Sequence, residues 1–225
     1  MRLAANMTPE TRHRYFQELL KTSGDKFTDE LRRQIVSEML INANNLAPET
    51  RDNLLKDLVK DLINVLPPDY AQKLLNDIMA ATDNLDASIK EQMIKNLLEN
   101  LDDLPQDIKE NTLKALIKNI DNLAPDVKNS LLQDILSRVE DSGMGTEFKE
   151  LRNEILKEMI KNSQNLDEET RGKILQQVMD KLANENGGEI PSVVLAELVK
   201  QMGNSLPDSI RNKVLQEIQK NLEKG

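Results

Sequence analysis

One short phrase recurs eleven times along this 225-residue chain, and its clearest copies read Asn45-Leu46-Ala47-Pro48-Glu49-Thr50-Arg51 and Asn122-Leu123-Ala124-Pro125-Asp126-Val127-Lys128. Aligned on the base that ends the phrase, the copies fall at Arg12, Arg32, Arg51, Ala71, Lys90, Lys109, Lys128, Arg152, Arg171, Leu195 and Arg211. Nine of these eleven anchors are basic, and the intervals between them are 20, 19, 20, 19, 19, 19, 24, 19, 24 and 16 residues. A period of that length has room for one helix and one turn. Such a helix cannot bury its apolar face alone, so successive copies must stack on one another.

The residues behind each anchor say which element repeats. Leu54, Leu55, Leu58, Val59 and Leu62 follow the third anchor, and Leu113, Leu116, Ile117 and Ile120 follow the sixth. Spacing of i, i+3, i+4 and i+7 puts these side chains on one face of an α-helix. Pro9, Pro48, Pro68, Pro105, Pro125, Pro191 and Pro207 fall where a first-turn proline is harmless, because its missing N–H would have no intrahelical partner. An acid follows at Glu10, Glu49, Asp69, Asp126 and Asp208, complementing the positive helix end. Leu46, Leu66 and Leu123 are placed to staple the chain onto the turn that follows, and Asn44, Asn84, Asn122 and Asn165 to cap helix ends in a left-handed conformation. No segment carries a strand pattern, so the expected fold class is all-α, with eleven amphipathic helices.

Glycines suggest how the helices pair. Gly24, Gly143, Gly145, Gly187 and Gly188 all follow odd-numbered helices. Measured from odd anchor to odd anchor, the spacing is 39, 39, 38, 43 and 40, steadier than the single-helix intervals. The unit is therefore read as an antiparallel helical hairpin, repeated in an elongated array within a single domain over 1–225, with a soft boundary near 141–146 and an unpaired closing helix. A two-helix unit of this length resembles the HEAT and armadillo class of α-solenoids. That resemblance covers the whole chain through period and pairing, and implies a groove that binds a partner protein.

A second, local resemblance is to the EF-hand. Ala183-Asn184-Glu185-Asn186-Gly187-Gly188-Glu189-Ile190 is similar to an EF-hand loop, with fragments of the same pattern at 23–31 and 143–151. The ligand chemistry departs from that family. Ca²⁺ in such a loop needs carboxylate oxygens at the first, third and fifth positions and a bidentate Glu at the twelfth, whereas this chain places Ala183, Gly187 and Val194 at the first, fifth and twelfth. The expectation is no metal and no cofactor.

Composition narrows the function classes. A net charge of −9 argues against nonspecific binding to nucleic acid or anionic membranes, which takes clustered Lys and Arg. There is no Cys, so disulfides and thiolate chemistry are excluded. With no Trp and only Tyr15, Tyr70, Phe16, Phe27 and Phe148 as aromatics, the core must be built from Leu, Ile, Val and nine Met. The N-terminus lacks an apolar run of signal-peptide length and no stretch approaches a membrane span, which fits a soluble, intracellular, cytoplasmic protein.

Candidate chemistry is sparse. His13, the single histidine, lies between Arg12 and Arg14 and reads as a solvated surface residue, without the constellation that general-base catalysis needs. The acid pairs Asp102-Asp103, Glu140-Asp141 and Glu168-Glu169 read as helix starts and solvated faces. No phosphate loop, zinc motif or serine elbow is present. The basic column, Arg12, Arg32, Arg51, Lys90, Lys109, Lys128, Arg152, Arg171 and Arg211, is the feature that asks for explanation. A first-turn cation opposes the helix dipole. It needs an ion pair to the acid two positions earlier or on a neighbouring helix, or else it forms a stripe that contacts an acidic partner. The chain thus reads as a non-enzymatic protein–protein interaction scaffold. The alternative is an EF-hand-like regulatory module binding a target helix in a Leu- and Met-lined groove without tight Ca²⁺ binding.

Overall fold

The structure is a computed structural model that describes residues 6–64, 66–82, 85–99, 101, 106–141, 148–185, 189–203 and 206–223. Among them the chain forms eleven α-helices and no strand: α1 (Pro9–Ser23), α2 (Asp29–Ala43), α3 (Pro48–Asn64), α4 (Pro68–Ala81), α5 (Ala87–Glu99), α6 (Gln106–Asn119), α7 (Pro125–Asp141), α8 (Lys149–Ser163), α9 (Glu168–Glu185), α10 (Ser192–Lys200) and α11 (Asp208–Glu223). The all-α expectation holds, one helix to each anchor.

Most anchors turn out to close the first helical turn. The anchor N–H donates to the carbonyl four residues back: Arg12 to Thr8, Arg51 to Ala47, Lys90 to Asp86, Lys128 to Ala124, Arg171 to Asp167 and Arg211 to Pro207, all at 2.8–3.0 Å. The residue before that carbonyl is apolar, as at Leu46, Leu123, Ile190 and Leu206, which are buried. Pro9, Pro48, Pro68 and Pro125 occupy the first helical position as expected. Pro191 and Pro207 stand one residue earlier, just outside α10 and α11. Pro105 and Asn84 lie outside the described residues.

Helix ends differ from the expected asparagine caps. Asn44 is right-handed, with φ −60° and ψ −25°. The chain instead leaves α2 through tight i→i+3 bonds, Asn45 N–H to Asn42 O and Leu46 N–H to Ala43 O, which satisfy carbonyls that the helix leaves over. The same pair of bonds closes α8, from Asn165 to Asn162 and Leu166 to Ser163.

Two compact units make up the chain, 1–123 and 124–225. Their border at Leu123/Ala124 lies upstream of the soft boundary expected near 141–146, which falls between α7 and α8 inside the second unit. In the first unit α1 packs on α2 and on α3, α3 on α4 and α5, and α2 and α6 on α4. Helix k therefore packs on helix k+2, giving one layer of α1, α3 and α5 and another of α2, α4 and α6. The core between them includes Phe16, Leu20, Val36, Met39, Leu55, Tyr70, Leu74 and Met93. In the second unit α7, α9 and α10 pack on α8, and α11 packs on α9 and α10.

The hairpin reading is supported at α1–α2, α3–α4 and α7–α8, which pack as pairs. Asn42 Nδ2, near the end of α2, donates to Pro9 O at the start of α1 (2.5 Å), so those two helices run antiparallel. Asn162 Nδ2 does the same to Pro125 O (2.7 Å) across α7 and α8. Contacts between hairpins are just as prominent, as α8–α9 and α2–α4 show. Of the glycines used to phase the pairing, Gly24 lies in a short 3-10 turn after α1, and Gly143, Gly145, Gly187 and Gly188 lie outside the described residues.

The matching asparagines belong to a longer correspondence. At a constant shift of 120 residues, Arg32, Glu38, Met39, Asn42, Asn45, Leu46, Glu49, Thr50 and Arg51 recur as Arg152, Glu158, Met159, Asn162, Asn165, Leu166, Glu169, Thr170 and Arg171. With a shorter loop before α2, Pro9, Gln17 and Leu20 of α1 match Pro125, Gln133 and Leu136 of α7. The two non-basic anchors, Ala71 and Leu195, fall on α4 and α10, the fourth helix of each unit. The two units share these positions in sequence, and the Asn42 and Asn162 hydrogen bonds match in structure.

Candidate functional site

The basic column faces largely inward. Arg32, Lys90, Lys109, Lys128 and Arg152 are buried, and Arg12, Arg51, Arg171 and Arg211 are half-buried. None of the nine is fully exposed. Helix geometry explains this: the anchor is the fourth helical residue and sits on the same stripe as the apolar pair behind it, so its stem lies along the core and its charged head must find a partner at the edge.

Those partners are of three kinds. Arg12 Nη2 donates to Met7 O and Arg211 Nη2 to Leu206 O, each at 3.4 Å and each five residues back, tying the side chain to the strand of backbone that enters the helix. Within the first turn, Arg32 reaches Asp29 (2.9 Å) and Arg211 reaches Asp208 (3.5 Å). The acid used is three residues earlier rather than two, because i and i+3 share a helix face and i and i+2 do not. Across helices, Arg32 Nε donates to Asp77 Oδ2 at 2.6 Å, and Lys128 Nζ to Glu158 Oε2 at 3.3 Å. Arg33 also reaches Asp77, at 3.4 Å. Burial works against the Arg32 charge. Hydrogen bonds to Asp77 and Asp29 offset it, raise the guanidinium pKa further, and hold Asp29 below its usual range. Arg51 lies 3.5 Å from Asp52.

In the second unit the matching cation is held differently. Arg152 Nη2 donates to Lys181 O at 3.2 Å, and its Nε lies 3.6 Å from Glu140, which also pairs with Lys181. Asp77 has no carboxylate counterpart there. Its position is taken by Gln201, the C-cap residue of α10, fully buried, whose Nε2 donates to Ile160 O (2.6 Å) and whose Oε1 accepts from Arg171 (3.4 Å).

His13 departs from the solvated residue expected of it. It is fully buried between α1 and α2, and among the described residues neither ring nitrogen makes a hydrogen bond. Burial lowers its pKa to about 4; the nearby Met39 backbone opposes that shift and the Arg14 cation adds to it. The sequence signal was its place one residue after the anchor, on the turn that faces the partner helix. Asn129 is its counterpart in α7, also buried, with an Oδ1 that accepts no hydrogen bond from the described residues. Tyr70 is buried too, donating its hydroxyl to Leu20 O (3.0 Å), and burial raises its pKa to about 12.

Among the described residues, grooves open between helices of each unit. One of about 570 Å³ lies between α1 and α3, lined by Arg14, Gln17, Glu18, Lys21, Asp57, Lys60 and Asp61. Its counterpart in the second unit, about 340 Å³, is lined by Gln133, Leu136, Met159, Gln177, Asp180 and Lys181. A third, of about 530 Å³, lies between α4 and α6. Gln17 and Lys21 clasp Asp61 (2.9 and 3.2 Å) across the first, and Gln133 bonds Gln177 (2.8 Å) across the second.

In the fragment at 23–31, Thr28 Oγ1 accepts from Leu31 N–H as the N-cap of α2, and Asp29 is engaged by Arg32. Among the described residues no three His, Asp or Glu side chains converge as a metal site. Residues 142–147 and 186–188 of the other two fragments lie outside the described residues. The acid pair Asp102-Asp103 does too, while Glu168-Glu169 opens α9 and Glu140 pairs with Arg152 and Lys181. No described helix is long and apolar enough to cross a membrane. Comparison with protein-family models, curated proteins and solved structures returns no match to this chain.

Proposed function

We propose that the chain is a non-enzymatic scaffold that binds another protein through the grooves between its repeated helices. The observation that carries this reading is the recurrence of one groove in both units, between the first and third helices, at matching residues Gln17/Gln133, Asp57/Gln177 and Asp61/Lys181. Stacked helical units expose such grooves at regular intervals because helix k rests on helix k+2, and surfaces of that kind suit extended contact with a partner. The basic column supports this indirectly: its side chains tie down the entry to helices such as α1, α2 and α11 and so help to hold the groove walls in register.

The test is affinity capture from native extract with the intact chain and with Asp57→Arg and Gln177→Arg variants, whose positions lie on the groove rims. A partner retained in stoichiometric amount by the parent and lost from one variant supports the reading. Retention of nothing, or equal retention by all three proteins, counts against it.

A further inference from the structure

We infer that the open side of α10 and α11 in the second unit binds an amphipathic helix of a partner protein, in the place that α6 takes in the first unit. This rests on the scaffold reading and gives it a site and a partner chemistry. Among the described residues the first unit has six helices and the second five, with no counterpart of α6.

The burial pattern locates what is uncovered. Four residues after its anchor, every helix from α1 to α9 buries an apolar side chain, from Phe16 in α1 through Leu75 in α4 to Leu175 in α9. The same position is open in the last two helices: Val199 in α10 is 41% exposed and Leu215 in α11 is 48% exposed. Their counterparts in the first unit, Leu75 and Ile94, are buried, and Leu222 of α11, 77% exposed, matches the buried Leu101. Helix α6 packs on α4, and Met79, one turn beyond Leu75 on the same face, lines the groove between them. The Met79 position in the second unit is Gly203, where an added Cβ meets nothing within 4 Å. Leu75 thus lies on the side of α4 that α6 covers, and Val199 marks the same side of α10 left bare.

A stacked helix whose outer face meets water needs polar residues there. α11 instead carries Leu215, Ile218 and Leu222, spaced by three and four residues like the anchors of a helix-binding stripe, and of these only Ile218 is half-buried. The occupant's chemistry is read from α6. Its buried stripe is Ile108, Leu113, Leu116, Ile117 and Ile120, all aliphatic, and the buried Thr112 spends its hydroxyl on Ile108 O (2.7 Å). A helix satisfies its own backbone, so it can lay such a stripe on aliphatic residues without stranding polar groups. Its length is that of α6, 14 residues or about 21 Å. A second copy has no spare helix of this kind to lend, because its own α6 stripe is already buried.

The experiment is fluorescence anisotropy on the full chain with a labelled, end-blocked peptide of the α6 sequence, residues 106–121. Saturable binding is expected, and Leu113→Asp with Leu116→Asp in the peptide should weaken it at least tenfold. In the chain, Val199→Glu and Leu215→Glu should each weaken it at least fivefold; both side chains are exposed, so the fold is retained. Leu31→Glu, at an apolar residue of α2 that is 38% exposed, should leave binding unchanged. Equal weakening by Leu31→Glu, or equal binding of the doubly substituted peptide, would overturn the proposal by reducing it to general stickiness. Binding indifferent to Leu215→Glu would overturn it by placing the peptide elsewhere, exchange with the chain's own α6 included. Sedimentation of the chain alone adds a check, since a dimer that Leu215→Glu dissolves would assign this face to a second copy. Absence of binding would overturn the proposal too, while partner capture that Asp57→Arg or Gln177→Arg abolishes would be left standing.

Discussion

In the first unit α2 is fastened to α4 by a charged clasp, Arg32 and Arg33 on Asp77; in the second, α8 is fastened to α10 by a neutral one, Gln201 on the Ile160 carbonyl. The arginine that should make the clasp persists as Arg152 but turns toward Glu140 and Lys181 instead. The duplicated framework thus tolerates two solutions to one problem, each of which gives the clasping side chain a partner. His13 and Asn129 differ in the same way: both are buried at the first helix interface, yet only His13 can acquire charge.

The largest test of that contrast removes each clasp. Asp77→Ala leaves Arg32 buried with Asp29 alone, and breaking a buried pair from one side costs about 3–5 kcal/mol. Gln201→Ala removes a neutral amide and should cost about 1–3 kcal/mol. Chemical denaturation of both variants checks the ordering, and equal losses would erase the distinction.

Next comes pH. The His13 pKa falls from 6.5 in the unfolded chain to about 4 in the fold, so the unfolded state binds the proton more readily. Its contribution is fully present above pH 6.5 and declines as pH falls toward 4. The loss is about 2 kcal/mol at pH 5. His13→Asn, which gives α1 the residue that α7 uses, should remove this component from the stability profile. A profile unchanged by the substitution would show that His13 is not buried in solution.

A smaller and symmetric effect is expected where the units agree. Asn42→Ala and Asn162→Ala each remove one interhelical hydrogen bond and should each cost about 1 kcal/mol, and unequal costs would mean the copies have diverged there as well. The smallest change has the opposite sign. Gly172 in α9 stands where α3 has Asp52, and a Cβ there meets nothing within 4 Å. Gly172→Ala should therefore stabilise the second unit by about 0.5–1 kcal/mol, read as a shift in its thermal transition.

Periodicity made the helices legible before any coordinates, because an apolar stripe at 3.6-residue spacing is a local property of sequence. The duplication was legible too: Glu-Leu-Arg at 30–32 and 150–152, and the paired exceptions Ala71 and Leu195, carry it. A period of one helix masks a period of six. The inward turn of the basic column was harder to see. A cation in a repeating position looks like a surface stripe until the first turn is placed and the carbonyl five residues back becomes its acceptor. Asp77, Glu158 and Gln201 could not be singled out from sequence, since each is one polar residue among many and becomes a partner only when another helix packs against it.

Layering by alternate helices also constrains how the gene can change in length. Removing or adding one 19-residue copy would shift every later helix of that unit into the opposite layer and present its apolar stripe to the wrong neighbour. Adding or removing two copies would leave every remaining helix in its own layer. Variation in such a unit should therefore proceed in even steps.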